Sequence, residues 1–164
     1  MKNLYDVDLM VKARINASIT QLKENLKLYD TLSFNDSKQS GETVKTFNDA
    51  ISSLEESKKV YQSYRDSYFK DYSEIEKKLK EVVEKVAHLK ECVDYSQGES
   101  SFDVSLNEQI FKEVDYVIGK LNTAIDEIEE LPALSQRINR DDYVKTMEQF
   151  EKDELTHDDN DLGI

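Results

Sequence analysis

From Thr43 to Tyr95 the chain reads TVKTFNDAISSLEESKKVYQSYRDSYFKDYSEIEKKLKEVVEKVAHLKECVDY, with neither glycine nor proline. Apolar side chains recur through it at Phe47, Ala50, Leu54, Tyr61, Tyr64, Tyr68, Tyr72, Ile75, Leu79, Val82, Val86, Leu89 and Val93. From Tyr68 onward the steps alternate four and three, the spacing of a heptad seam. The double step of four from Tyr64 through Tyr68 to Tyr72 is a stutter, which relaxes a supercoil locally. Acid-first i,i+4 pairs fit the same helix: Asp66–Lys70, Glu55–Lys59, Glu74–Lys78, Glu76–Lys80 and Glu81–Lys85. Each such pair contributes only a few tenths of a kcal/mol. The pattern predicts one continuous helix over 43–95, about 80 Å long at about 1.5 Å per residue.

On the N-terminal side, Leu4, Val7, Val11, Ile15, Ile19, Leu22, Leu26 and Tyr29 form one amphipathic face, predicting a helix over 4–32. Asn3 suits its cap, and Asp6 and Asp8 suit the positive end of its dipole. The stretch SFNDSKQSG, 33–41, reads as a turn. On the C-terminal side, SQGESSFDVS, 96–105, is a second break with Gly98 as a helix stop. Ser105 and Glu108 then have capping-box spacing, and a third helix follows over 105–131. Its seam runs from Leu106 to Leu131, and Phe111, Ile118 and Ile125 add a second stripe. Pro132 ends or bends it. Asn139, Asp141 and Asp142 could start a short helix within 132–153 using Tyr143, Met147 and Phe150. Residues 154–164 read as a disordered acidic tail.

Short connections place consecutive helices antiparallel. The fold class is therefore all-α. The first expectation is an elongated pair of antiparallel coiled-coil hairpins sharing one long central helix, as a body over 1–131. The alternative is a compact four-helix bundle, which needs a break near Ser63–Ser67.

Composition supports helices and narrows function. Of 164 residues, 35% are charged and only four are glycine and one proline. The net charge is −13, and residues 126–164 hold 13 acidic against 4 basic side chains, leaving a near-balanced body. That argues against nucleic-acid binding and against an anionic membrane surface. The single cysteine, Cys92, rules out a disulfide within the chain. Neither a signal-like N-terminus nor a membrane-length apolar run is present, so a cytoplasmic protein is expected, with the nucleus as the alternative.

The candidate partner-binding residues are the tyrosine ladder Tyr61, Tyr64, Tyr68 and Tyr72 with Phe69, read as a half-exposed aromatic strip, and the second stripe Phe111, Ile118 and Ile125. Tyrosines filling a helix junction with hydroxyls reaching water are the plainer account of the ladder. Glu84, His88 and Cys92 share one helix face, but a single helix makes a solvated flank the expectation, with no metal. No catalytic constellation, cofactor or small-molecule substrate is expected.

The leading functional expectation is a non-catalytic coiled-coil scaffold or adaptor subunit of a larger complex, binding other coiled-coil proteins or itself. A second is an acidic inhibitor or immunity-type protein that caps a basic surface. A third is a helical-hairpin substrate of a specialised bacterial secretion system, suggested by Tyr95–Glu99 spacing that Tyr72–Glu76 matches equally well.

Overall fold

The computed structural model describes the backbone of residues 3–31, 38–95 and 101–162, and the side chains of 3–31, 41–93 and 104–152. Among the described residues five helices follow in order: α1 (Leu4–Asp30), α2 (Lys38–Asp66), α3 (Ser73–Tyr95), α4 (Ser101–Ser135) and α5 (Arg140–Leu162). The Gly98 stop and Glu99 lie outside the described residues.

The all-α class holds, but the long central helix does not. It divides into α2 and α3 at residues 67–72. The first four helices close on themselves: α1 packs against α2 and α4, and α3 packs against α2 and α4. The architecture is the compact bundle, antiparallel at each step. Polar contacts show the register. Arg14 meets Glu127 at 2.6 Å and Gln21 meets Glu113 at 2.7 Å across α1–α4. Lys78 meets Glu56 at 3.0 Å across α2–α3, and Lys90 meets Asp115 at 2.8 Å across α3–α4.

The break has a specific hydrogen-bonded form. The Tyr68 N–H donates to the Arg65 carbonyl at 2.9 Å, and the Phe69 N–H reaches back to the Tyr64 carbonyl at 3.0 Å. This is a Schellman stop, with Tyr68 at the left-handed position that glycine usually takes. Tyr68 and Phe69 have φ of 61° and 60°. For L-residues that conformation costs roughly 1–2 kcal/mol each. The compensation is visible: Phe69 is 1% exposed and packs edge-on to Tyr64 at 5.2 Å, the apolar contact such a stop favours. Tyr72 then supplies the first carbonyl of α3, accepting from the Glu76 N–H at 2.9 Å.

Most of the i,i+4 pairs expected of a continuous helix are replaced by contacts between helices. Glu76–Lys80 forms at 2.8 Å. Glu55 turns to Lys23, Lys78 to Glu56, and Lys85 to Ser53. The wide apolar face of α4 also finds its explanation, since α1 covers one side of it and α3 the other. Ser105 lies inside α4 and caps nothing, because the helix starts at Ser101.

Pro132 lies within α4 without ending it. Proline has no N–H, so the Ile128 carbonyl, four residues earlier, loses its helical donor. The Tyr64 hydroxyl donates to that carbonyl at 3.1 Å. The Tyr68 hydroxyl donates to the Ser135 carbonyl at 2.9 Å and also to that of Ile138. Asn139 then caps α5, accepting from the Asp141 N–H at 2.8 Å. The helix that follows is longer than the short segment expected from sequence and extends to Leu162.

A double-mutant cycle tests the proline–tyrosine pairing. Tyr64→Phe leaves a buried carbonyl without a donor and should cost about 1–3 kcal/mol in urea denaturation. In a Pro132→Ala background the helix supplies its own N–H, and the same change should cost less than half as much. Equal costs in both backgrounds would refute the assignment.

Candidate functional site

The tyrosine ladder, α4's C-terminal end and the start of α5 meet at the base of the bundle. Asp8 is at the centre. It projects from α1 into the core and is fully buried. Arg65 of α2, with its side chain 5% exposed, places Nε 3.0 Å from the Asp8 carboxylate. The Tyr61 hydroxyl donates to one carboxylate oxygen at 2.5 Å, and the Tyr143 hydroxyl of α5 donates to the other at 2.7 Å. An ion pair so far from water is stable only when its remaining hydrogen-bonding capacity is met. Here two phenols meet it.

These groups perturb one another. Burial first, then the Asp8 charge, pushes the Tyr61 and Tyr143 phenols well above their usual range. Burial also raises Tyr64. Burial works against the Arg65 charge, but Asp8 and Tyr143 together outweigh it and hold the guanidinium protonated. Around this polar centre the rings interlock. Tyr5 stacks on Tyr143 at 5.7 Å, and Tyr143 meets Phe69 and Tyr68 edge-on at 5.5 and 5.6 Å.

The half-exposed strip expected from sequence is therefore largely interior. Tyr61, Tyr64 and Phe69 are buried, Tyr68 is partly buried, and Tyr72 alone of the five is exposed. Of the second stripe, Ile125 is buried, while Phe111 and Ile118 are partly buried. Phe111 lies under the Lys90 ammonium, 5.0 Å from its ring centre. Among the described residues, the exposed large apolar side chains are Met10, Tyr72, Val104, Tyr116, Val144 and Phe150.

Above the base, side chains of α5 reach both α1 and α2, whose mutual packing is the loosest of the four adjacent ones in the bundle. Tyr143 and Met147 bury themselves there. Glu151, one turn beyond Met147, reaches Lys12 at 3.8 Å and Arg65 at 3.6 Å. The groove between α1 and α2 holds a cavity of about 420 Å³ with Ile15 and Tyr61 on its floor and Lys12, Lys58 and Lys59 on its rim. The Lys23–Glu55 pair crosses it at the top. Lysine stems provide apolar walls while their ammonium groups stay in water.

Asp8 and Arg65 were not recognised from sequence as a site. The signal was present: Asp8 interrupts an otherwise apolar seam at Leu4, Val11 and Ile15, and Arg65 stands one turn beyond Tyr61. A charge on an apolar face needs a partner, but sequence does not say which. Similarly, Glu84 does not join His88 and Cys92; Glu42, from α2, takes that place.

Two measurements test the base. Asp8→Ala strands the Arg65 charge and should cost about 3–5 kcal/mol in denaturant unfolding, whereas Asp8→Leu with Arg65→Met should recover part of that loss. The phenols set a pH limit. Their native pKa values are raised above the ordinary 10, so their contribution is complete below pH 10 and is lost as pH rises beyond it. The melting temperature should fall above pH 10, less steeply in Tyr61→Phe.

Among the described residues, no helix is long and apolar enough to cross a membrane. No family model matches the chain, and neither a curated protein nor a solved structure matches it.

Proposed function

We propose that this chain is a non-catalytic scaffold or adaptor subunit of an intracellular complex, and that it receives an acid-bearing amphipathic helix of another protein in the α1–α2 groove. The observation that carries the reading is the lysine-rimmed cavity itself. A chain of net charge −13 places Lys12, Lys58 and Lys59, against the one acid Glu55, around a cavity with Ile15 and Tyr61 on its floor. Helix-in-groove recognition needs such a surface: an apolar trough for residues at i, i+3 or i+4, and flanking charge to set register. The start of α5 demonstrates the chemistry within the molecule, since Tyr143 and Met147 fill the lower groove and Glu151 pairs with Lys12.

This reading changes the basis of the expected association. Open hairpins would seek partners to finish their core. A closed bundle already covers its seams, so binding rests on a surface groove and leaves the isolated chain monomeric and cooperatively folded.

The charge skew of residues 126–164 supports a second reading, in which the acidic C-terminal quarter caps a basic partner. One experiment separates the two. Affinity purification from the native cell is run in parallel with the wild type, with Lys12→Glu/Lys58→Glu/Lys59→Glu, and with a chain lacking residues 153–164. The adaptor reading expects a stoichiometric partner that the triple variant loses by at least about tenfold, with helicity unchanged, while the truncated chain retains it. Loss on truncation with retention by the triple variant would favour acidic capping instead.

A further inference from the structure

At the end of the bundle opposite the tyrosines, α2 brings Glu42 against two residues of α3. The His88 Nε2 lies 3.4 Å from the Glu42 carboxylate and 3.7 Å from the Cys92 sulfur. The three donor atoms all fall within 4.8 Å of one another. Zinc binds thiolate at about 2.3 Å and imidazole or carboxylate at about 2.0–2.2 Å. For tetrahedral angles those bonds place neighbouring ligand atoms about 3.3–3.6 Å apart. The two measured edges are thus already close to those of a tetrahedral face. The third needs only a movement of Glu42, whose side chain is 61% exposed and has room to turn.

The donor set has a chemical preference as well. Thiolate, imidazole and carboxylate together suit a borderline-soft cation, and zinc takes all three. Cys92 is anchored for the purpose. It is 7% exposed, and its neighbour across the helix interface is Thr43, which is fully buried and hydrogen-bonds to it. A divalent cation bound here would neutralise the Glu42 carboxylate and stabilise the Cys92 thiolate.

We propose that Glu42, His88 and Cys92 form a three-residue zinc-type site that ties the start of α2 to the end of α3. Binding takes the thiolate form of Cys92, and the thiol proton leaves to solvent. Three protein ligands leave a fourth position, open to water or to a donor from a partner.

Cobalt(II) is the probe, added to the full chain under metal-free reducing conditions. The proposal expects one cobalt per chain, a thiolate-to-metal charge-transfer absorption, the visible bands of four-coordinate cobalt, and displacement by zinc. Cys92→Ser should abolish the charge-transfer band. Glu42→Ala and His88→Ala, both at exposed positions that leave the fold intact, should each weaken zinc binding at least about tenfold. Glu84→Ala, on the same face of α3, should bind as the wild type does. Saturating zinc should raise the melting temperature of the wild type and not of the three site variants. Absence of the charge-transfer band overturns the proposal. So does unchanged affinity in Glu42→Ala, which would leave only a thiol and an imidazole on one helix.

Discussion

The chain reverses direction at Tyr68 and Phe69, two side-chain-bearing residues in the left-handed region, and the bundle depends on that turn being held. No glycine makes it cheap. Tertiary contacts supply the compensation: Phe69 buries itself against Tyr64 and Tyr143, and the Tyr68 hydroxyl ties the turn to the last carbonyl of α4, Ser135, and to that of Ile138 just beyond it. Those carbonyls need donors because α4 ends there, and Ile128 needs one because Pro132 has none to give. The turn and the end of α4 each meet a requirement of the other. Two local irregularities, each costly alone, are jointly satisfied.

Around that junction the molecule places an almost fully buried ion pair. Asp8–Arg65 contributes little net stability once desolvation is counted. Its physical consequence is selectivity of arrangement. Only one register of α1 against α2 pairs the charges, and only one placement of α5 brings the Tyr143 hydroxyl to the carboxylate. The polar centre thereby specifies where the fifth helix starts, and that start brings side chains of α5 to both α1 and α2. The same device recurs more mildly on α1–α4, where Glu127, almost fully buried, pairs with Arg14.

The two candidate interaction features sit at different places for related reasons. The groove exists because α1 and α2 pack less closely than the other neighbours, and lysine stems fill out its walls. The Glu42–His88–Cys92 cluster exists because α2 and α3 are adjacent and antiparallel, so the beginning of one lies beside the end of the other. The cluster does not arise in an open rod, where residues 42 and 88 would be separated by about 70 Å of continuous helix.

Sequence by itself determined what depends on local periodicity. The helical class, the apolar seams from Leu4 to Tyr29 and from Ile75 to Val93, the Asn3 and Asn139 caps, and the charge distribution all follow from residue spacing and side-chain chemistry. The stutter at Tyr64, Tyr68 and Tyr72 was legible as an irregularity, but its meaning was not. Whether a helix continues through such a stretch or stops depends on energies that reside elsewhere in the chain. They come from the carbonyl freed by Pro132, the edge-on rings around Phe69, and the exposed stripes that a bundle covers and a rod leaves wet. Tertiary structure alone decided that. It also decided that the tyrosines are mostly interior, that Asp8 finds Arg65 across 57 residues of sequence, and that Glu42 rather than Glu84 stands beside His88 and Cys92. Spacing along one helix identifies which residues share a face; only packing determines what that face meets.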